Sequence, residues 1–473
     1  MSQTIQCDIA IIGGGSAGLS LASGAAQLGA KVVLIEGHKM GGDCLNYGCV
    51  PSKSLLAAAK SFYHIIDAGY FGVNAKKVDI NFSKVMEHVH SVINAIGEHD
   101  SVERFESLGV KVIKEKAEFQ DAQSLKAGEC LIESKYFVIA TGSSPFVPSI
   151  DGLDKVSYET NETIFNLKTK PLHLIVIGGG PIGCELAQAF AMLGSCVTIL
   201  EAETILPHDD QSCVEIVRRQ LEKNKITLHE KSKVIKVKQD HKEIQVMIEK
   251  EGSAMEVIGS HLLVATGRRP NVKDLGLDKA NVKYSPKGIA VNKHLRTSNK
   301  KIYAIGDVTG SYQFTHIANY HAGIVLRNLL FWLPAKVDYH SLPWVTYTVP
   351  ELAHAGMSAK EASERSDVHT TEFSFADNDR AQAEYAASGK IKAITTKKGK
   401  ILGVTIVGKN AGELLLPWIM AIREKKSLRA FTDAIVPYPT FSEVSKQVAS
   451  EFYKPKLFSK SVKKIVHWLL KLG

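Results

Sequence analysis

The sequence predicts an α/β fold in which one strand–turn–helix–strand unit occurs twice, and three observations carry that expectation. A G-x-G-x-x-G pattern follows an apolar run at Gly13, Gly15 and Gly18, and again at Gly178, Gly180 and Gly183. An acidic residue, Glu36 or Glu201, ends the next apolar run 23 residues after the first glycine in each copy. Each copy is later closed by a similar segment, FVIATG at 137–142 and LLVATG at 262–267. A single glycine pattern of this kind is weak evidence, because glycine turns are common. Two in the correct strand–turn–helix–strand context are strong.

Each element has a physical reason. The apolar runs at 8–12 and 173–177 read as buried strands, and the small residues behind the glycines read as helices packed closely on them. Glycines at these positions let backbone N–H groups and a helix N-terminus approach a pyrophosphate, while the following carboxylate accepts hydrogen bonds from ribose hydroxyls. The chain is therefore expected to hold two dinucleotides on two Rossmann-like units. From first glycine to closing glycine the first copy spans 129 residues and the second 89. The 40 extra residues include a helical stretch around 83–108 and the segment 41–53, GGDCLNYGCVPSK.

That segment sets Cys44 and Cys49 between the glycine pair Gly41–Gly42 and a helix start. Pro51 suits the first helical position, where its missing N–H is no loss. Cys49 then lies at a helix N-terminus, where the macrodipole favours a thiolate. A low-pKa thiol with a nearby partner thiol equips a redox enzyme; two unrelated core cysteines are the alternative. A zinc site would need two more well-spaced ligands, and none is close in sequence, so no metal site is expected. Further on, the apolar core of 297–307 (TSNKKIYAIGD) ends in Gly306-Asp307. A carboxylate there could hold a ribityl chain or simply be a solvated turn aspartate.

Composition bounds the rest. With 473 residues the chain has room for roughly three domains. Its 45% hydrophobic and 23% charged residues describe an ordered soluble protein. Seven cysteines, scattered singly apart from the pair, are no secreted disulfide framework, and no signal segment opens the sequence. No apolar run reaches the roughly 18 residues that span a bilayer. A cytoplasmic setting is expected. The net charge of +9 is partly concentrated in the last twenty residues, and no helix-turn-helix, zinc-finger or aromatic RNA-binding signature accompanies it, so no nucleic-acid partner is expected. In 459–473 (SKSVKKIVHWLLKLG), Val462, Ile465, Val466, Leu469 and Leu472 share one helical face, with Trp468 and Leu470 at its edges. Lys460, Lys463, Lys464, His467 and Lys471 fill the other face. Such a basic amphipathic helix suits a membrane surface, the inner face of the membrane in a cytoplasmic protein; docking onto its own dimer is the alternative.

On these motifs the chain, up to about residue 454, resembles the flavin-dependent pyridine nucleotide–disulfide oxidoreductases, the family of glutathione reductase, dihydrolipoyl dehydrogenase and mercuric reductase. The resemblance implies FAD on the first unit, a nicotinamide dinucleotide on the second, and a C-terminal α+β domain that forms a homodimer. The implied parts are an FAD domain with the redox disulfide at 1–151, a nicotinamide-nucleotide domain at 152–273, and a central part at 274–343 completing the FAD domain. A dimerisation domain at 344–454 and the tail at 455–473 follow.

Carried over by motif, Cys49 matches the thiolate in charge-transfer contact with the flavin and Cys44 the interchange thiol that meets the substrate. Lys53 matches the lysine beside the flavin, with Glu185 as its counter-charge; a buried cation needs one. Gly42, Thr141, Gly142, Asp307 and the 313–316 run with Phe314 and His316 match contacts to FAD, and Ala117 a backbone contact to the adenine. Val234 and Gly267 match contacts to the second nucleotide. Glu201, with no lysine or arginine in 202–206, favours NADH over NADPH, although His208 or Arg218 could fold back to accept a 2′-phosphate.

Two departures matter. Asp43 stands where most relatives have threonine, and a carboxylate beside a pyrophosphate is unfavourable unless it turns away or meets a cation. Residues 437–443 read PYPTFSE, so Tyr438 occupies the place of the family's acid–base histidine while Glu443 keeps that of its orienting glutamate. A phenol titrating near 10 mostly donates its proton, and a mismatched base forfeits much of the roughly 10²–10⁴-fold gain of acid–base catalysis. Dihydrolipoamide oxidation and glutathione-disulfide reduction are thereby disfavoured, unless Tyr438 only fills space. Tyrosine here resembles mercuric reductase, yet no cysteine follows Cys213 to capture a metal. The expected function is electron transfer from NAD(P)H through FAD and Cys44–Cys49 to an unidentified small-molecule or metal acceptor: a disulfide, a thiol-bound metal or a quinone. Dihydrolipoyl dehydrogenase and a membrane-docked redox-sensing flavoprotein that acts by binding are the alternatives.

Overall fold

A computed structural model describes residues 3–74 and 78–472; the first two residues of the 1–151 part and Gly473 of the tail lie outside them. The chain folds as two compact units, one of residues 1–202 with 231–337 and the other of 203–230 with 338–473.

The first unit is built on a seven-stranded sheet. Gln3–Ile12 lies between Val32–Ile35 and Cys130–Ile139, and all three run parallel. Val110–Ile113 extends this parallel set on one side, while Ile302–Ala304 pairs parallel with Cys130–Ile139. Ser124–Ala127 and Ala117–Phe119 complete the sheet antiparallel. Ile9, Ala10, Ile11 and Ile12 are all buried, the near-continuous apolar run of a strand covered on both faces. The helix Ser16–Gln27 can lie close on this sheet because its inner residues are small: Ala17, Gly18, Ala22 and Ala25. A Cβ on Gly18 would run into the carbonyl oxygen of Gly13.

The second glycine repeat folds in the same way. His173–Ile177 pairs parallel with Cys196–Leu200 and with His261–Val264, and the helix Pro181–Met192 follows the glycine turn. A Cβ on Gly183 would meet the Gly178 carbonyl, as Gly18 would meet that of Gly13. Gly13 and Gly178 adopt φ of 110° and 112°, and a Cβ on either would strike the carbonyl of the alanine in the closing ATG segment, Ala140 or Ala265. A meander of Ser232–Asp240, Glu243–Lys250 and Ser253–Gly259 is inserted before the closing strand.

The second unit carries a five-stranded antiparallel sheet, in the order Pro343–Thr346, Glu351–Gly356, Ile401–Gly408, Lys390–Thr396, Val368–Ser374. Trp418, on the helix Leu416–Arg423, is fully buried and its indole N–H donates to Ser445 Oγ at 2.9 Å, fixing that helix to Glu443–Leu457. The tail forms the helix Lys460–Leu469, capped by the Ser459 hydroxyl, and none of its residues is buried. Among the described residues no helix is long and apolar enough to cross a membrane.

Candidate active site

The redox segment rests directly on the first glycine loop. The Gly41 N–H donates to Gly14 O at 2.8 Å, and a Cβ on Gly42, where φ is 59°, would lie 2.7 Å from Gly15 Cα. This close approach is why the cysteines are preceded by two glycines. Cys44 sits in the short helix Gly42–Asn46 and Cys49 is the first residue of Cys49–Asp67. The helix thus starts two residues earlier than Pro51 suggested. Proline is tolerated as its third residue because first-turn N–H groups have no intrahelical acceptor.

Both cysteines are free thiols, Cys44 half-buried and Cys49 exposed. The hydrogen bond from Cys44 is the largest influence on Cys49, and with attraction to Lys53 and the Thr315 hydroxyl it outweighs burial and Glu185, bringing the thiol down to about 6. Cys44 moves the opposite way, first because of the same hydrogen bond and then because of burial. A thiolate at Cys49 and a thiol at Cys44 is the arrangement this favours. Thr315 opens the helix Thr315–Leu330 and its Oγ1 lies 3.6 Å from Cys49 Sγ.

Lys53, one turn after Cys49, pairs with Glu185 at 2.6 Å, and the glutamate side chain is only 6% exposed. The two glycine repeats are joined at this point, since Glu185 lies on the helix of the second. Glu36 Oε2 accepts the Gly14 N–H at 2.6 Å and its other oxygen the His38 N–H at 2.6 Å. Glu201 makes the equivalent 2.6 Å bond to the Gly179 N–H. Gly15 and Gly180 are the N-cap residues of the two helices.

The closing segments also meet. Thr141 Oγ1 donates to Asn271 O at 2.8 Å, and Asn271 Nδ2 donates to Thr141 O at 3.0 Å. Gly142 and Gly267 have φ of 67° and 130°. Asp307 follows the strand Ile302–Ala304 and accepts a 2.6 Å hydrogen bond from Ser143 Oγ; burial pushes its carboxyl up, opposed by that bond and by Arg268. Fully buried His321, brought down to about 4 by burial, is neutral, and its Nδ1 accepts the Gly306 N–H at 3.1 Å. Ala117 is buried at a strand start, Val234 is half-buried in the meander, and the rings of Phe314 and His316 stack at 5.1 Å. Two glycine turns that leave no room for a Cβ at Gly13, Gly18, Gly178 or Gly183, each followed by an acidic residue at a strand end, fit FAD on the first repeat and a nicotinamide dinucleotide on the second.

Asp43 meets a cation. Its Oδ1 lies 3.0 Å from an Arg268 guanidinium nitrogen and accepts a 3.1 Å hydrogen bond from Asn161 Nδ2. Arg268, Asn161, Ser143 and His321 were not foreseen from sequence. The arginine beside the second ATG was the available signal, but its partner is 225 residues away.

In the second unit, Tyr438 is 70% exposed and its hydroxyl donates to Asp379 Oδ2 at 2.8 Å; that hydrogen bond and the aspartate's charge push its pKa upward. Glu443 begins the helix Glu443–Leu457, and its carboxylate accepts the Thr440 N–H at 3.3 Å.

Comparison with known proteins agrees with this geometry. The family description "Pyridine nucleotide-disulphide oxidoreductase" matches residues 7–322, and that family's dimerisation domain matches 342–449. Mercuric reductase of Lysinibacillus sphaericus is 34% identical over 451 residues, 94% of this chain and 83% of the relative. Dihydrolipoyl dehydrogenase of Bacillus subtilis is 34% identical over 445 residues, 92% of this chain and 96% of the relative. The structure of the Cu(II) complex of the HOCl-induced flavoprotein disulfide reductase RclA from Escherichia coli superimposes with a TM-score of 0.84 at 28% identity, over 93% of this chain and 99% of that one. With two repeats of the glycine turn, two neighbouring cysteines and these matches, the chain belongs to the pyridine nucleotide–disulfide oxidoreductases, FAD-binding enzymes that use NAD(P)H, and it carries their dimerisation domain.

Proposed function

We propose that this enzyme takes electrons from NADH through FAD to the Cys44–Cys49 dithiol and passes them to a mercuric-reductase-like acceptor: a disulfide, a thiol-bound metal or a quinone. The observation that carries the reading is the depressed Cys49 thiol beside Cys44, with Lys53 held by Glu185 one turn away. When bound, FAD supplies a two-electron relay between nicotinamide and dithiol. The chain's own residues do the rest. Lys53 supplies a compensated positive charge, Ser143 aims Asp307 while His321 holds the N–H of the preceding Gly306, and Thr315 holds a hydroxyl against Cys49. The division at 1–151, 152–273, 274–343, 344–454 and 455–473 belongs to the same proposal, as does homodimer formation through 344–454. An anaerobic screen of NADH-reduced enzyme against disulfides, mercuric and cupric thiolates and quinones tests it. Turnover of one class is expected; reoxidation by none of the three overturns the reading.

NADH preference follows from Glu201. Arg218, which could have turned toward a 2′-phosphate, is engaged elsewhere, with Glu230 at 2.8 Å and Glu215 at 2.6 Å. Flavin reduction should show a higher kcat/KM with NADH than with NADPH, and Glu201→Arg should reverse or flatten the preference. Equal use of both nucleotides by the unmodified enzyme contradicts it.

A peripheral membrane role is the second reading, favoured by the exposed tail helix. Ile465, Trp468, Leu469, Leu470 and Leu472 are each more than half exposed, beside four lysines. Each lysine near an anionic leaflet contributes on the order of 1 kcal/mol. Co-sedimentation with anionic vesicles is expected, weakening with salt and vanishing when 457–473 are deleted, with NADH-to-flavin transfer intact. A deletion that loosens the dimer, with no vesicle binding by the full chain, assigns the tail to packing.

A further inference from the structure

We propose that Asp43 is a positioning residue that keeps the electron pair on the dithiol, by partly neutralising Arg268 beside Asp307, the carboxylate expected to meet the FAD ribityl chain. The inference rests on the functional reading above. Two segments distant in sequence meet at Arg268, and a third joins them through Ser143. Its guanidinium contacts Asp43 Oδ1 at 3.0 Å, donates to the Ser143 carbonyl at 2.7 Å and donates through Nε to Ser143 Oγ at 2.8 Å. Ser143 Oγ in turn donates to Asp307 at 2.6 Å. The arginine side chain is 11% exposed, so its charge is little screened by water. It stands between two carboxylates, one at the head of the redox helix and one at the end of the strand that bears the ribityl site.

Asp43 and Arg268 reach Asp307 through a chain of contacts, from Arg268 Nε to Ser143 Oγ at 2.8 Å and from Ser143 Oγ to Asp307 at 2.6 Å. Asp307 responds to both of them. The charged or polar groups that chiefly govern Cys49 are instead Cys44, Lys53, Thr315 and Glu185. A neutral residue at 43, such as the threonine common in relatives, leaves Arg268 with Asp307 as its single carboxylate and removes one negative charge from the group. Loss of negative charge near the cofactor favours electrons on the flavin over electrons on the sulfurs.

The competing states contain the same atoms. NADH delivers a hydride and leaves as NAD⁺; the pair of electrons breaks the Cys44–Cys49 S–S bond, Cys44 ends as a thiol with the hydride's proton, and Cys49 ends as a thiolate. The alternative is that the pair stays on the flavin and the disulfide remains whole. Asp43 also touches the loop through Asn161, whose Nδ2 lies 3.1 Å from both Asp43 Oδ1 and the Tyr47 carbonyl. That contact is neutral on the asparagine side, so it can be removed without altering charge.

Anaerobic titration of the FAD-loaded enzyme with one equivalent of reductant reads the distribution: a long-wavelength charge-transfer band reports the dithiol, and bleaching of the main flavin band reports the cofactor. In Asp43→Asn, near-isosteric but uncharged, the ratio should move toward the bleached form by about three- to tenfold, as one charge acting through a partly buried site would do. Asp43→Thr should shift the same way and decides the matter if Asp43→Asn fails to retain FAD. Asn161→Ala should stay within about twofold of the unmodified enzyme. An unchanged ratio in the Asp43 variants, or an equal shift in Asn161→Ala, overturns the proposal. Absence of the band in the unmodified enzyme would instead sink the dithiol reading on which it rests.

Discussion

Cys49→Ser is expected to abolish the charge-transfer band of the two-electron-reduced enzyme and to lower acceptor turnover by at least about a thousandfold, since the group lost is the one activated for the chemistry. Cys44→Ser should give the converse: a band present without added reductant, because Cys49 is then a permanent thiolate, and equally poor turnover, because nothing meets the acceptor. The band has a pH signature. With the Cys49 thiol brought down to about 6, the thiolate is present at neutral pH and is lost as pH falls through that value. Absorbance titration of the reduced enzyme from pH 8 to pH 5 checks it. A band that survives in Cys49→Ser would exchange the roles of the two thiols.

Tyr438→His should raise kcat/KM for dihydrolipoamide by about a hundredfold, the lower end of the range for a well-matched general base. The unmodified enzyme should oxidise this substrate weakly. Asp379 holds the phenol as a donor and pushes its pKa upward, away from the neutral range where a proton shuttle must work. An imidazole titrates there unaided. One oxygen of the Glu443 carboxylate accepts the Thr440 N–H at 3.3 Å, and a carboxylate retains further acceptor capacity for a histidine N–H. Steady-state assays with dihydrolipoamide and with glutathione disulfide, on both proteins, measure the effect. Rapid dihydrolipoamide turnover by the unmodified enzyme would favour the dihydrolipoyl dehydrogenase reading instead.

Much of the fold could be read from the sequence because its strongest determinants are local. A glycine at 13 or 178 is required by its own φ and by the closing alanine's carbonyl, and the signal recurs with the same spacing. The cysteines, Lys53 and the helix behind them likewise fall in one short stretch. What escaped depends on contacts between distant segments. Nothing near Asp43 in sequence announces Arg268, and nothing near Tyr438 announces Asp379, 59 residues earlier. Glu443 was legible as a position but not as a hydrogen-bonding partner, because a carboxylate at a helix start has backbone N–H groups at hand to accept. The acceptor stays illegible for a related reason: a dithiol can reduce many things, and no charged or shaped recognition motif accompanies this one in sequence.

The contact of Gly42 with Gly15 has a thermodynamic consequence for the whole cycle. The loop that carries the thiols and the loop that cradles the pyrophosphate share one packed surface, joined by the Gly41 N–H to Gly14 carbonyl bond. Any ligand that orders the second loop must therefore favour one geometry of the first. Linkage makes the effect reciprocal: the factor by which disulfide formation changes FAD affinity equals the factor by which FAD changes the disulfide's equilibrium constant. Cofactor retention and thiol oxidation state are then a single coupled equilibrium. Storage under oxidising or reducing conditions should alter how tightly the flavin is held, with no covalent change beyond the two sulfurs.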